Sequence, residues 1–366
     1  MEKIKVLMGV IGKGNGGMST YAVRLFTLLD PEKFQVTFLS NTGHPFYEQE
    51  ILSHGGRIIV VPSRNRHPLT YRRAVKTALR EGYDVCHAHL ASASNIDLPL
   101  LAVKAKVPMV IAHSHSGGFE GSKLAWYLHK FNQKKLRSLP VTRLACSKQA
   151  GEFLFGDVPC GYAPNAIDLD RFQFRLEQRV AVREKYGLDG CFTVGYVGRL
   201  VPIKNIPFLL EVFARVKALT PKAKLLLCGD GPEEQALRQK AEELGIAEDT
   251  VFTGNIPDTE NALCAMDCFV LPSTEEGLGL VVIEALGTGA PCFVSEAIPP
   301  EVDVSPLVRR FRFSDDKDDI AKKFLSVMGT PRRSRRKELE DAGFEAHTMA
   351  KNMEKRYLVG CGKEEN

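Results

Sequence analysis

PSTEEGLGLVVIEALGTGAP, residues 272–291, grows out of the apolar run CFVLPS at residues 268–273. That run predicts a short buried strand, and the apolar stretch from Leu280 to Ile283 predicts the start of a helix. Gly277 and Gly279 lie between them, so the order is strand, glycine loop, helix. Glu276 falls in the loop, and Glu284, eight residues on, falls a turn or so inside the helix. Glycines let a backbone come close to a ligand, and a helix N-terminus offers unpaired N–H groups to an anion. A carboxylate on either side of such an anion site suits a polyol that carries phosphate. The plainer alternative is a strand–loop–helix unit with solvated glutamates.

Outward from this unit, short apolar runs alternate with helical patterns, which predicts βαβ units and parallel sheets. The first half has IKVLMGVI (4–11), QVTFLS (35–40), RIIVVP (57–62), VCHAHL (85–90), MVIAHS (109–114) and TRLACS (142–147). Val23, Phe26 and Leu29 mark the first helix. The second half has FTVGYVG (192–198), KLLLCGDG (224–231), VFTGN (251–255), CFVLPS and PCFVSE (291–296). The alternation thus occurs twice, with a turn-rich break at YAPNAIDLDRF (162–172). The fold class read from this is α/β, two doubly wound Rossmann-like domains with a cleft between them. The domains expected are residues 1–168 and 169–345, with a last helix over 346–366 packing back on the first. Ligands of such sheets bind beyond the carboxyl ends of the strands, where the glycine loops fall.

The length of 366 residues agrees with two domains, and no run is long enough for a transmembrane helix. MEKIKVLMGVIG reads as a first strand, not a signal peptide. Nine cysteines are scattered singly, as expected of free core thiols in a reducing cytosol. Cys264 and Cys268, the closest pair, are read as lying in one helix-like segment. The net charge of +5 is uneven: residues 1–168 carry 21 Lys+Arg against 12 Asp+Glu, and the remainder 28 against 32. A basic first half suits an anionic partner there, phosphate or a membrane surface. No nucleic acid is expected as a partner.

Gly12-Lys13-Gly14-Asn15-Gly16-Gly17 follows the first strand and matches G-x-G-x-x-G. A dinucleotide site would need a carboxylate at the end of the second strand to hold the ribose. That strand ends Leu39-Ser40-Asn41-Thr42, and Asp30 precedes it, so NAD is disfavoured. A plain glycine turn capping a helix is the bland reading. In the second half, Gly198-Arg199 ends a strand and Lys204 follows in GRLVPIKN. Arginine grips two phosphate oxygens and lysine acts as a point charge, so the pair forms a candidate diphosphate clamp. GDGPE (229–233) and FTGNIPD (252–258) are further strand-end loops, in which Gly229 and Gly231 can also be simple turn formers.

Eight of nine histidines lie in the first half, and His87-Ala88-His89 and His113-Ser114-His115 each end a strand. Four imidazoles at adjacent strand ends could bind zinc. No Asp, Glu or Cys joins them at a ligand-like spacing, so no metal is expected. Packed histidines satisfied by backbone are the bland reading.

Taken together these motifs resemble the retaining GT-B glycosyltransferases of the GT4 type. Glu276 and Glu284 match the family's E-x7-E signature, and Gly198, Arg199 and Lys204 match G-R-x4-K. Pro164 to Asp168 matches the domain-junction motif, and Glu284, Ala285, Gly289 and Pro291 match the closing element. The chain departs from the family pattern at Asn205 and Ala166 (usually Gly), Leu278 (usually Phe) and Met18-Ser19 (often Ala-Glu). The resemblance implies a GT-B fold and transfer from a nucleotide-diphosphate sugar, most simply a UDP-sugar, with retention and without metal or other cofactor. It implies that Glu284 holds the ribose, that Arg199 and Lys204 stabilise the leaving diphosphate, and that Glu276 contacts the transferred sugar. The glycine loop of Gly277, Leu278, Gly279 and Leu280 is placed at the donor, and Gly229, Gly231 and Ile256 beside the nucleotide. Gly16 and Gly17 are placed at the donor diphosphate and acceptor. A strand-end histidine reaches the transferred sugar in the family; His115 aligns best, and a two-residue slip selects His113. The similar bacterial enzymes build capsular or exopolysaccharide units, which implies a glycan or lipid-linked acceptor and a cytoplasmic place, peripheral on the membrane's inner face.

LAWYLHKFNQKKLRSL (124–139) sets Leu124, Tyr127, Leu128, Phe131 and Leu139 at helical spacing beside Lys130, Lys134, Lys135 and Arg137. It reads either as a helix resting on an anionic membrane or as a domain helix with a solvated basic face. Arg332 to Lys337 form a second basic run, read as a linker before the last helix. Two other functions share the predicted cleft. An epimerase would convert donor without acceptor; a non-catalytic binding subunit would hold donor without turnover.

Overall fold

The computed structural model describes residues 2–14, 16–119 and 122–363. Asn15, inside the first glycine loop, lies outside them. Among the described residues thirteen strands form two wholly parallel sheets. The first holds β1 (Ile4–Ile11), β2 (Phe34–Ser40), β3 (Arg57–Val60), β4 (Val85–Leu90), β5 (Met109–Ser114), β6 (Thr142–Ala145) and β7 (Gly161–Tyr162), in the order β3-β2-β1-β4-β5-β6-β7. The second holds β8 (Phe192–Val197), β9 (Ala223–Cys228), β10 (Thr250–Gly254), β11 (Cys268–Leu271), β12 (Cys292–Ser295) and β13 (Val308–Phe311), in the order β10-β9-β8-β11-β12-β13. The order turns between β1 and β4 in one sheet and between β8 and β11 in the other. Those are the points where an open parallel sheet leaves a crevice at its carboxyl edge.

The chain divides into two compact units, Met1–Ala166 with Glu345–Asn366, and Ile167–Phe344. In the first unit one face of the sheet is covered by the helix Gly17–Leu28 and the last helix, Ala346–Gly360. Tyr21, Val23, Phe26, Met349, Met353 and Tyr357 pack there against Val6, Met8 and Ile111 of the strands. The opposite face is closed by Tyr71, Val75, Leu98, Leu101, Leu154 and Phe155. Strands buried on both faces are continuously apolar, which is why they were legible as runs. In the second unit β8, β9, β11 and β12 are buried almost throughout.

Two strands escaped the sequence reading. β7 is only two residues long, and β13 (VRRF) carries two arginines because it is a sheet edge. Cys264 and Cys268 do not share a helix: Cys264 lies in the last turn of the helix Thr259–Ala265, and Cys268 opens β11. All nine cysteines are free.

Candidate active site

In the second unit the candidate residues converge beyond the β8/β11 switch point. After β8 the chain passes Gly198 and Arg199, and Leu200 is fully buried as an anchor. The Leu200 amide donates to Asp230 O at 2.7 Å, and the Glu233 amide donates to Leu200 O at 3.2 Å. The Tyr196 hydroxyl donates to Arg199 O at 3.0 Å. The phenol itself is held neutral by burial and by the nearby Glu276 charge, against the pull of Arg199. Pro202–Lys204 then form one 3-10 turn, closed by Asn205 in the left-handed region at φ 51° and ψ 43°. Non-glycine residues seldom adopt that conformation, and asparagine is among the few that do so readily. The departure from the family's usual glycine is thereby explained.

The loop after β11 is bound to this turn. Thr274 donates to Ile203 O through its amide at 2.8 Å and its hydroxyl at 3.2 Å. Ser273 is fully buried, and its carbonyl takes the Ser295 hydroxyl at 2.5 Å. Lys204 Nζ donates to Glu276 Oε1, and the Ser273 hydroxyl donates to the same oxygen at 2.8 Å. The Lys204 and Glu276 side chains are only 16% and 14% exposed. Ion pairs taken out of water roughly break even against apolar packing, so stability alone does not account for this one. It presents a cation and a carboxylate, oriented by backbone on both sides, at the edge where a sheet of this type takes its ligand.

Gly229 and Gly231 prove to be structural braces of the same loop. Gly229 has φ +143°, and a Cβ there would lie 1.9 Å from Gly198 O; at Gly231 it would lie 2.2 Å from Leu200 O. Any side chain would push away the segment that carries Arg199. Gly279, at φ +82°, caps the helix Leu280–Gly287 without a side-chain cap, while Leu278 is buried beneath it. Glu284 is the fifth residue of that helix and is half-buried.

Sequence reading missed Arg171. Its guanidinium donates to Pro257 O at 3.1 Å and to Glu260 Oε2 at 2.9 Å. Partial burial works against its charge, but Glu260 and then Glu284 more than restore it, so its pKa is raised. Arg171 therefore joins the neighbourhood of Glu284 to the loop that holds Ile256. The signal was a single arginine in DLDRF, with no spacing to tie it to either partner.

In the first unit, Gly16 is the uncapped N-cap of the helix Gly17–Leu28. A Cβ at Gly17 would sit 4.0 Å from Asn165 Nδ2, so this turn lies beside the junction asparagine. His87 and His89 of β4 and His113 of β5 share one face, in register His89 to His113, and His115 follows directly after β5. They form two chains. His113 Nε2 bonds Ala163 O at 3.1 Å, His87 Nε2 meets His113 Nδ1 at 3.2 Å, and Tyr357 Oη meets His87 Nδ1 at 2.7 Å. His89 Nδ1 meets His115 Nε2 at 3.0 Å, and His115 Nδ1 bonds Asn165 Oδ1 at 3.2 Å. Burial first, and then mutual repulsion, holds His87, His89 and His113 well below the usual imidazole pKa; burial brings His115 to about 3. All four are neutral at physiological pH.

The two candidate histidines differ in what surrounds them. His113 is fully buried, with Nε2 on Ala163 O and Nδ1 facing His87. His115 reaches the surface, but a hydroxyl there must exchange with Asn165 or His89. Nor does a carboxylate stand at the end of β2 for a dinucleotide ribose; Ser40 turns its hydroxyl to Thr42 O at 2.8 Å.

The helix Lys123–Arg137 also departs from a simple surface helix. It buries His129, Gln133 and Leu136. By helical period Leu124, Tyr127 and Phe131 lie on the opposite side, and they are 69%, 71% and 70% exposed.

Two family models match the chain, Glycosyltransferase Family 4 over residues 15–171 and Glycosyl transferases group 1 over residues 179–345. EpsF of Bacillus subtilis (strain 168), named as a glycosyltransferase, is 31% identical over 99% of this chain and 98% of its own. The chain belongs to glycosyltransferase family 4. The Escherichia coli UDP-Gal:alpha-D-GlcNAc-diphosphoundecaprenol alpha-1,3-galactosyltransferase is 26% identical over 80% of each chain. Among solved structures, a Rickettsia africae glycosyltransferase aligns with TM-score 0.80 at 16% identity over 100% of both chains. Anabaena HepE, solved with UDP-glucose, aligns with TM-score 0.74 at 17% identity over 98% of both. The fold of this family-4 enzyme is GT-B.

Proposed function

We propose that this glycosyltransferase moves a sugar from a UDP-sugar to a lipid-linked glycan in surface polysaccharide synthesis, with retention of anomeric configuration. The observation that carries the reading is the Lys204–Glu276 pair, locked by Ser273 and Thr274 at the switch point of the second sheet. The donor's diphosphate takes Lys204 and Arg199 as counter-charges, and Glu276, already oriented by Ser273, is left for the transferred sugar. Glu284 takes the ribose hydroxyls beside the Ile256 loop. Two preset cations stabilise the charge that grows on the leaving diphosphate without reorganisation, and no divalent ion is required at that place. His115 serves the sugar by exchanging one of its present bonds. The UDP-sugar and lipid-linked acceptor are supported by what the relatives' names state of them.

The acceptor reading agrees with the helix Lys123–Arg137. Its outward Leu124, Tyr127 and Phe131 are flanked by Lys130, Lys134 and Lys135, the composition of a helix that lies on an anionic bilayer. Co-sedimentation with vesicles rich in anionic lipid, but not with zwitterionic ones, is expected, and Phe131→Asp should weaken it at least tenfold. Equal binding of wild type and variant would remove the membrane from this reading.

The deciding experiment is calorimetry of UDP, GDP and ADP with metal-free protein, wild type and Lys204→Ala. UDP should bind, and the variant should weaken it. If no nucleoside diphosphate binds, or the variant binds as well as wild type, the clamp is refuted.

A further inference from the structure

Among the buried polar atoms of the described residues that have no partner, two belong to the histidine cluster: His89 Nε2 and Tyr21 Oη. A proton count shows what the first of them is. Ala163 O can only accept, so His113 carries its hydrogen on Nε2 and leaves a lone pair on Nδ1. Asn165 Oδ1 likewise accepts from His115 Nδ1, so His115 Nε2 takes the hydrogen of His89 Nδ1. His89 Nε2 is thus a bare lone pair on a side chain 5% exposed. A buried acceptor of this kind calls for an ion or a water.

We propose that His87, His89 and His113 bind one zinc ion, which cross-links β4 to β5. One ligand nitrogen from each lies within 4.8 Å of the other two. The His87 Nε2 to His113 Nδ1 separation, 3.2 Å, is already near the roughly 3.4 Å edge of a tetrahedron with zinc–nitrogen bonds of about 2.1 Å. Metal-bound imidazoles are usually oriented through their other nitrogen by a carbonyl or hydroxyl. His113 has Ala163 O in that place, and His87 has the Tyr357 hydroxyl. Binding moves the His87 hydrogen from Nε2 to Nδ1, where Tyr357 Oη turns from donor to acceptor, so no proton is lost from the ligands. Three neutral imidazoles leave a fourth position for a water or hydroxide, which the unpartnered Tyr21 hydroxyl can address from above; its ring centroid lies 4.9 Å from that of His113 and 5.6 Å from that of His89. His115, half-buried at the carboxyl edge of the sheet, marks the way in. This ion belongs to the first unit and is separate from the cations that serve the diphosphate, so the metal-free calorimetry of UDP tests the other reading alone.

The test uses the full, tag-free chain, stripped with a chelator and titrated with zinc and with cobalt(II). One ion per chain by elemental analysis, the intense visible bands of tetrahedral cobalt, and a zinc-dependent rise in melting temperature are expected. His89→Gln should abolish all three. His44→Gln, on an exposed residue, should leave them unchanged. Absence of a stoichiometric ion in wild type, or weak octahedral bands, overturns the proposal, and a buried water is then the occupant. Equal binding by His89→Gln overturns it as an adventitious ion only. Should that variant fail to fold, the cobalt spectrum of wild type decides.

Discussion

The carboxyl edges of the two sheets solve opposite problems with the same topology. At the second, polar groups stand on loops beyond the strands, and backbone holds them while their charges stay available. At the first, the polar groups are on the strands themselves, and they are consumed by one another. Lys204 and Glu276 are oriented by Ser273 and Thr274 from outside the sheet. His87 and His113 are fully buried and spend their nitrogens on Tyr357, on each other and on Ala163. The same crevice position therefore yields an open ionic site in one unit and a closed polar core in the other. Substitutions should hit turnover in the first case and stability in the second.

The largest effect is expected at Lys204. Lys204→Ala should lower sugar transfer about 10³-fold, roughly 4 kcal/mol of lost transition-state stabilisation. Its melting temperature should fall less than that of His113→Ala, because Glu276 loses its cation but keeps the Ser273 hydroxyl and some contact with water. Transfer assayed with UDP-sugar, beside a thermal melt, checks both halves. A near-normal rate would erase the distinction between the two edges.

His113→Ala should do the reverse. It strands Ala163 O in the core and removes a partner of His87, whether that contact is the direct hydrogen bond or the proposed zinc, a cost of about 3 kcal/mol, or several degrees of melting temperature. Turnover per folded molecule should change less than tenfold. A rate loss as large as that of Lys204→Ala in a fully folded variant would make the cluster part of the chemistry.

Much of the open site was legible in the sequence, and most of the closed one was not. Glu276, Arg199 and Lys204 lie within a few residues of strand ends, so local spacing placed them at a carboxyl edge. The bond between Lys204 and Glu276 spans 72 residues, and only the topology of β8 and β11 brings the two together. HAH and HSH showed two histidines per strand on one face. Which face was core depended on the last helix, whose Tyr357 meets His87 across 270 residues. The helix Lys123–Arg137 was misleading for a related reason: Leu124, Tyr127 and Phe131 face away from the core while Leu136 is buried, and periodicity says that a face exists without saying what covers it.

Gly229 tests the bracing of the open site. Gly229→Ala should cost about 2 kcal/mol, since φ +143° suits glycine alone and the added methyl meets Gly198 O. Because the displaced backbone carries Arg199, UDP affinity should fall with it. A stability loss with unchanged UDP affinity would detach Arg199 from the clamp.

The smallest effect, and the finest test of what backbone does at the open edge, is at Asn205. This residue lies in the left-handed region directly after Lys204, and its own side chain makes no cap bond to the helix Ile206–Leu219. If conformation is all that the position demands, Asn205→Gly should change stability by less than about 0.5 kcal/mol and leave transfer within twofold, since glycine enters that region freely and loses only chain entropy. Asn205→Val, which cannot enter it without strain, should cost about 1–2 kcal/mol and lower transfer by tilting Lys204 away from Glu276. The pair separates geometry from side-chain chemistry. If the glycine variant fell as far as the valine one, the Asn205 amide would itself be touching substrate, and the open site would gain a polar contact beside Lys204.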